Sequence, residues 1–145
     1  MVSRQIRCEV LIESDASFAQ SIADHIRKDF DVHIISQPKQ VLAMNKVRES
    51  AKNSLFYLGE VLVTQAMVEI EGTRGLGLVI GDNDELALNL AVVDAAFSSP
   101  ALASKYEWLE VKILNAYQAL QEQREAELSR VFSTKVDFET MVEEL

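Results

Sequence analysis

The sequence predicts an α+β fold: an antiparallel sheet of about four strands with helices packed on one face. Three observations carry that expectation. Apolar residues recur at helical spacing near both ends of the 145-residue chain, and period-two runs rich in Val and Ile fill its middle. A polar turn around Gly72 also joins two of those runs as an antiparallel hairpin.

Two short helices come first. Ile6, Val10 and Leu11 fall at helical spacing, and Ser14 and Asp15 offer oxygens to cap a second helix. That helix carries Phe18, Ile22 and Ile26 on one stripe, with Asp24, Arg27 and Lys28 facing away. From Asp31 the period changes. Val32 to Ile35 is a short β-branched run ended by Gln37 and Pro38, and Val41 to Arg48 reads as a second strand with a half-solvated face.

Val61 to Ile70 carries the clearest strand signal, with Leu62, Ala66, Val68 and Ile70 sharing a face. Glu71 to Arg74 is the turn, and Leu76, Leu78 and Ile80 resume the alternation as a fourth strand. Gly75, Gly77 and Gly81 lie on the opposite face of that strand, where missing side chains let a helix approach closely. Asp82 to Glu85 opens the next helix, whose wide apolar stripe, Leu86, Leu90, Val93 and Phe97 broadened by Leu88 and Val92, makes it the most buried one.

Ser99 and Pro100 open a longer C-terminal helix along a seam of Leu102, Tyr106, Leu109, Ile113, Ala116 and Leu120. The seam fades into the polar stretch Gln121 to Glu127. Residues 1–133 form one α+β domain in this reading, and residues 134–145 form an extended C-terminal tail with Val136 and Phe138 on one side.

Composition narrows the function. Fourteen basic against twenty-three acidic residues give a net charge of −9, which argues against nucleic acid or an anionic membrane as the main partner. Cys8 is the single cysteine, which excludes an internal disulfide and a thiolate metal cage. The longest uncharged stretch, Ala95 to Ser104, contains Pro100, so neither a membrane span nor a secretory signal is read, and the expected location is the cytoplasm.

Each chemical candidate has a plainer reading. Gly75-Leu-Gly77 to Gly81 misses the dinucleotide spacing, and its glycines run along a strand rather than in a strand-to-helix turn. Asp82 to Glu85 lacks the calcium-loop glycine, and His25 and His33 have no companion ligands, so no metal site is read. Cys8 has no assigned base. Glu60, Glu69 and Glu71 show no convergence on a pocket, so no catalytic residue is assigned. Lys46, Arg48 and Arg74, with Lys52, are the one alternative: an anion site of a stand-alone nucleotide- or phosphonate-binding domain, set against a solvated strand face.

Two blocks carry a family resemblance. Leu55-Phe-Tyr-Leu-Gly-Glu-Val-Leu-Val-Thr-Gln-Ala-Met-Val68, followed by the Gly81, Asp82 helix start, and the closing Val136-Asp-Phe-Glu-Thr-Met-Val142 together resemble the G subunit of bacterial carbon-phosphorus lyase, over the chain from Val41 to its end. The sequence departs from that pattern with Arg7 and Cys8 where the family places Trp-Met, and with Glu139 where an aromatic is usual.

The resemblance implies a non-catalytic or assisting subunit of a transferase complex in organic phosphonate catabolism and phosphorus assimilation. That complex installs an alkylphosphonate on C1 of the ATP ribose, releasing adenine and giving a ribose 1-methylphosphonate 5-triphosphate. It implies sibling H, I and J subunits as partners, with nucleosidase chemistry in I and radical cleavage in J. ATP and magnesium are expected for the complex and no cofactor for this chain alone. Trp108, Val136, Phe138, Met141 and Val142 are the expected partner-binding residues, because they are apolar and lie beside or beyond the helical seam. A third reading is that the isolated chain self-associates through surfaces meant for siblings.

Overall fold

The computed structural model describes residues 1–136. Helix α1 (Arg4–Glu13) starts at Ser3, whose hydroxyl accepts the Ile6 N–H, and α2 (Ala16–Asp29) follows after a two-residue break. Val10, Leu11, Ile22 and Ile26 point inward, as their spacing requires, and are fully buried.

The sheet has three strands, not four, in the order β1 (His33–Arg48), β2 (Leu55–Ile70) and β3 (Thr73–Ile80), all antiparallel. The first two expected strands are one. Pro38 does not end the run because β1 is an edge strand, where one side needs no N–H donor. Register shifts between Ile34 and Ser36 and between Ser36 and Lys39 absorb the irregularity. β2 also begins earlier than its β-branched core implies, at Leu55. The β2–β3 turn is only Glu71 and Gly72, both at positive φ (48° and 75°), the two-residue geometry that matches strand twist.

Helix α3 (Asp84–Ser98) is capped by Asn83, whose side chain accepts the Leu86 N–H at 3.1 Å. It lies against β3 and β2 on one side and α2 and α1 on the other. That sandwich explains why ten of its fifteen residues are buried all round the helix. Gly75 and Gly77 face α3: a Cβ on Gly75 would overlap the Ala91 carbonyl oxygen, and one on Gly77 the Ala87 carbonyl oxygen. The glycines and the Ala87, Ala91, Ala95 stripe thus set the distance between helix and sheet.

Beyond Pro100 the single expected helix is two, α4 (Pro100–Lys105) and α5 (Glu107–Ser133). Tyr106 sits in the break at φ −111° and ψ 24°, fully buried, and its hydroxyl donates to Asp29 at 2.9 Å. Leu109 and Ile113 continue the buried seam. No helix among the described residues is long and apolar enough to cross a membrane.

Candidate functional site

The register places the molecule's most unusual feature. β3 pairs with β2 only from Val63 to Ile70, whereas β1 stays paired with β2 out to Arg48 and Leu55. The β1–β2 hairpin therefore runs on as a two-stranded arm, ~26 Å long at ~3.3 Å per residue for Leu55 to Leu62. Alternation and register put Leu42, Met44, Lys46 and Arg48 on one face of the arm, opposite Leu62, Glu60, Tyr57 and Leu55. This is the continuation of the face that carries α3 lower down, but here no helix covers it. Leu42 and Met44 are 62% and 63% exposed, and Leu55, Phe56, Tyr57 and Leu58 are exposed with them.

The polar atoms of the arm are arranged locally. The Lys46 ammonium sits 4.9 Å from the centre of the Tyr57 ring, and Arg48 donates to the Asn53 carbonyl at 2.8 Å across the tip. Glu49 accepts the Lys52 N–H at 3.1 Å and closes the turn.

The structure does not gather the three basic residues of the anion reading. Lys46 and Arg48 lie on the arm, while Arg74 lies at the other end of the sheet beside Glu69, at 3.4 Å. Tyr57, opposite Lys46, and Glu69, opposite Arg74, are a dozen residues apart along β2, which is ~40 Å. No single phosphate spans that gap. Glu60 is on the arm, far from Glu69 and Glu71, so these carboxylates do not meet either. The hollow between α2 and the start of α3, lined by Ala16, Gln20, Asn83, Glu85, Leu86 and Asn89, holds about 60 Å³, far below a nucleotide site, and the larger hollows along α5, of about 350 and 360 Å³, are lined by none of the three basic residues. Among the described residues no three His, Cys, Asp or Glu side chains are grouped as a metal would require.

Of the expected partner-binding residues, Trp108 is half exposed on α5, its ring meeting His25 edge-on at 5.0 Å with the Lys112 ammonium 5.1 Å from its centre. Val136 is exposed just past the helix. Phe138, Met141 and Val142 lie outside the described residues. α5 runs alongside α1 in the same direction: Glu110 accepts the Val2 N–H, and Arg124 reaches Glu9 and Glu13 at the far end of α1. Ala16, just past that end, shares a hollow with Asn83 at the foot of the arm. The last turns of α5, with exposed Leu128, Val131 and Phe132, therefore leave the core at the same end as the arm.

A buried polar centre escaped the sequence reading. Asp94 accepts the Leu76 N–H at 3.0 Å and the Arg4 guanidinium at 2.5 Å through one carboxylate oxygen. Its other oxygen has no hydrogen-bond partner among the described residues and faces Arg7 at 3.8 Å. Arg7 is itself buried, donates to the Val2 carbonyl at 2.7 Å and lies over the Phe97 ring. Burial lowers the Arg7 pKa and Asp94 opposes that shift. The cluster pins α1 to α3 and β3. A signal was available, since Asp94 is the single charged residue between Leu86 and Ser104. Beside it, burial and then Asp94 push the Cys8 thiol up, which keeps it protonated and unreactive.

Among known families, the one described as phosphonate metabolism protein PhnG matches residues 2–143 of the chain. Curated proteins give no match to this chain.

Proposed function

Since the chain belongs to the PhnG family of phosphonate metabolism proteins, we propose that it is an assembly subunit of the carbon-phosphorus lyase core complex. In this reading it supports, without supplying the reactive groups, transfer of an alkylphosphonate to C1 of the ATP ribose with release of adenine. The product is the ribose 1-methylphosphonate 5-triphosphate. Its partners are the H, I and J subunits, and ATP with magnesium binds the assembled complex. The observation that favours this reading is the exposed apolar arm together with the exposed end of α5, on a chain whose basic residues do not converge. Such surface is characteristic of a protomer whose neighbours cover it.

Co-expression with the three siblings tests the proposal. The full chain should co-purify with them, a chain ending at Ser133 should lose most of that association, and magnesium ATP should give no calorimetric heat with the isolated chain. Failure of the full chain to associate would refute the subunit reading. ATP binding by the isolated chain in the micromolar range, about −8 kcal/mol, would instead favour a stand-alone nucleotide site.

A further inference from the structure

We infer that the free edge of β2 in the arm, from Leu55 to Val61, receives an extended acidic segment of a partner subunit as an added strand. The inference rests on reading the chain as a complex subunit and adds the surface and the chemistry of what it binds.

The backbone supplies the first argument. Among the described residues, β2 has a neighbour on its β3 side only up to Leu62, whose carbonyl accepts the Gly81 N–H at 2.9 Å. Period two then turns the N–H and C=O of Glu60 toward the same open side. An exposed row of such groups on an apolar strand is a template for another strand. A hairpin of two strands is also marginal by itself in water, so a third strand is what would hold the arm in one shape.

Charge identifies the occupant. Residues 39–62 carry four basic side chains, Lys39, Lys46, Arg48 and Lys52, against two acidic ones, Glu49 and Glu60, for a net +2. The remaining residues carry ten basic against twenty-one acidic, for a net −11. The arm is the basic end of an acidic protein. Two arms paired edge to edge would bring like charges together, which disfavours a second copy at this edge. A partner strand alternating Asp or Glu with apolar residues would lay its acids on the face that carries Lys46 and Arg48, one strand beyond Tyr57 and Leu55, and its apolar side chains on the other face beside Phe56.

A photo-crosslinking residue in place of Tyr57, in the full chain co-expressed with the H, I and J subunits, tests the proposal directly. The crosslink should join a sibling subunit within a segment rich in Asp and Glu. Lys46→Glu with Arg48→Glu changes exposed side chains only, and should weaken co-assembly by about tenfold or more with circular dichroism unchanged. Glu60→Pro removes an outward N–H and should act in the same direction. A crosslink to residues 137–145 of this chain, to a second copy, or to nothing while the complex still forms would overturn the arm proposal and leave the subunit reading standing. Undiminished assembly of the double-charge variant would do the same. If the unsubstituted chain does not assemble with its siblings, both fall.

Discussion

Tyr106 shows how one buried hydroxyl couples stability to pH. It sits in the break between α4 and α5, donates to Asp29 at 2.9 Å and packs edge-on against Phe30, with Lys105 3.3 Å from the same carboxylate. Burial and then the Asp29 bond hold the phenol well above its ordinary pKa, so the folded state resists its ionisation. The stability it contributes is complete below the unfolded value, about 10, and is lost as pH rises past it. Asp29 is shifted the other way, held below the usual carboxylate range first by the Tyr106 bond and then by Lys105. Its contribution is present above about pH 4 and fades as pH falls through the lowered value. Tyr106→Phe should cost about 1 kcal/mol at neutral pH and flatten the alkaline limb of stability. Urea titrations between pH 7 and pH 11 check this; an unchanged alkaline slope in the variant would mean that Tyr106 is not the titrating group. Arg7 and Asp94 pose the related problem of burying charge: each needs the other, and the pair fixes which way α1 faces α3.

At the scale of elements, close approach of α3 to the sheet is the central constraint. Gly77 faces the Ala87 carbonyl and Gly75 the Ala91 carbonyl, both backbone atoms that cannot swing aside. Gly77→Ala should therefore force α3 outward and destabilise the fold by about 3 kcal/mol, the upper part of the usual overpacking range. Thermal melting should show it as a fall of roughly 6 to 12 °C. An unshifted melt would show that α3 can slide without cost. The arm is the opposite case, since Leu42, Met44 and Leu62 leave the core before any helix reaches them. Its pairing with β1 is regular except for the shift between Asn45 and Lys46, which frees Leu58 from a partner and adds local twist.

The whole molecule is lopsided. Its packed layers, sheet, α3, then α1 and α2, lie on one side of Gly81, and the arm and the end of α5 project from the other. The apolar side chains on these projections would be covered in a complex and are bare in the isolated protein. Sedimentation of the isolated chain over a concentration series should show reversible association that disappears on adding the proposed sibling subunits. A strictly monomeric chain at high concentration would show that these apolar faces do not pair with copies of themselves.

Sequence alone determined what depends on local chemistry. The stripes of Ile22 and Ile26, the polar turn after Ile70, the capped start of α3 and the bare strand face at Gly75 and Gly77 are all properties of a few neighbouring residues, although the pairing of Thr73 and Arg74 shortened that turn from Glu71 to Arg74 down to Glu71 and Gly72. So was the family, because its two blocks are contiguous runs, and the family match spans residues 2–143. Tertiary structure decided what depends on partners distant in the chain. Pro38 could be read as a strand end until β1 proved to be an edge, and Lys46 and Arg74 could be read as neighbours until the register set them at opposite ends of β2. The arm escaped notice because nothing in Leu55 to Leu62 records where β3 stops; that is set by the length of a different strand. Asp94 meets Arg7 across two helices for the same reason: burial of charge is decided by packing, and packing is not a local property.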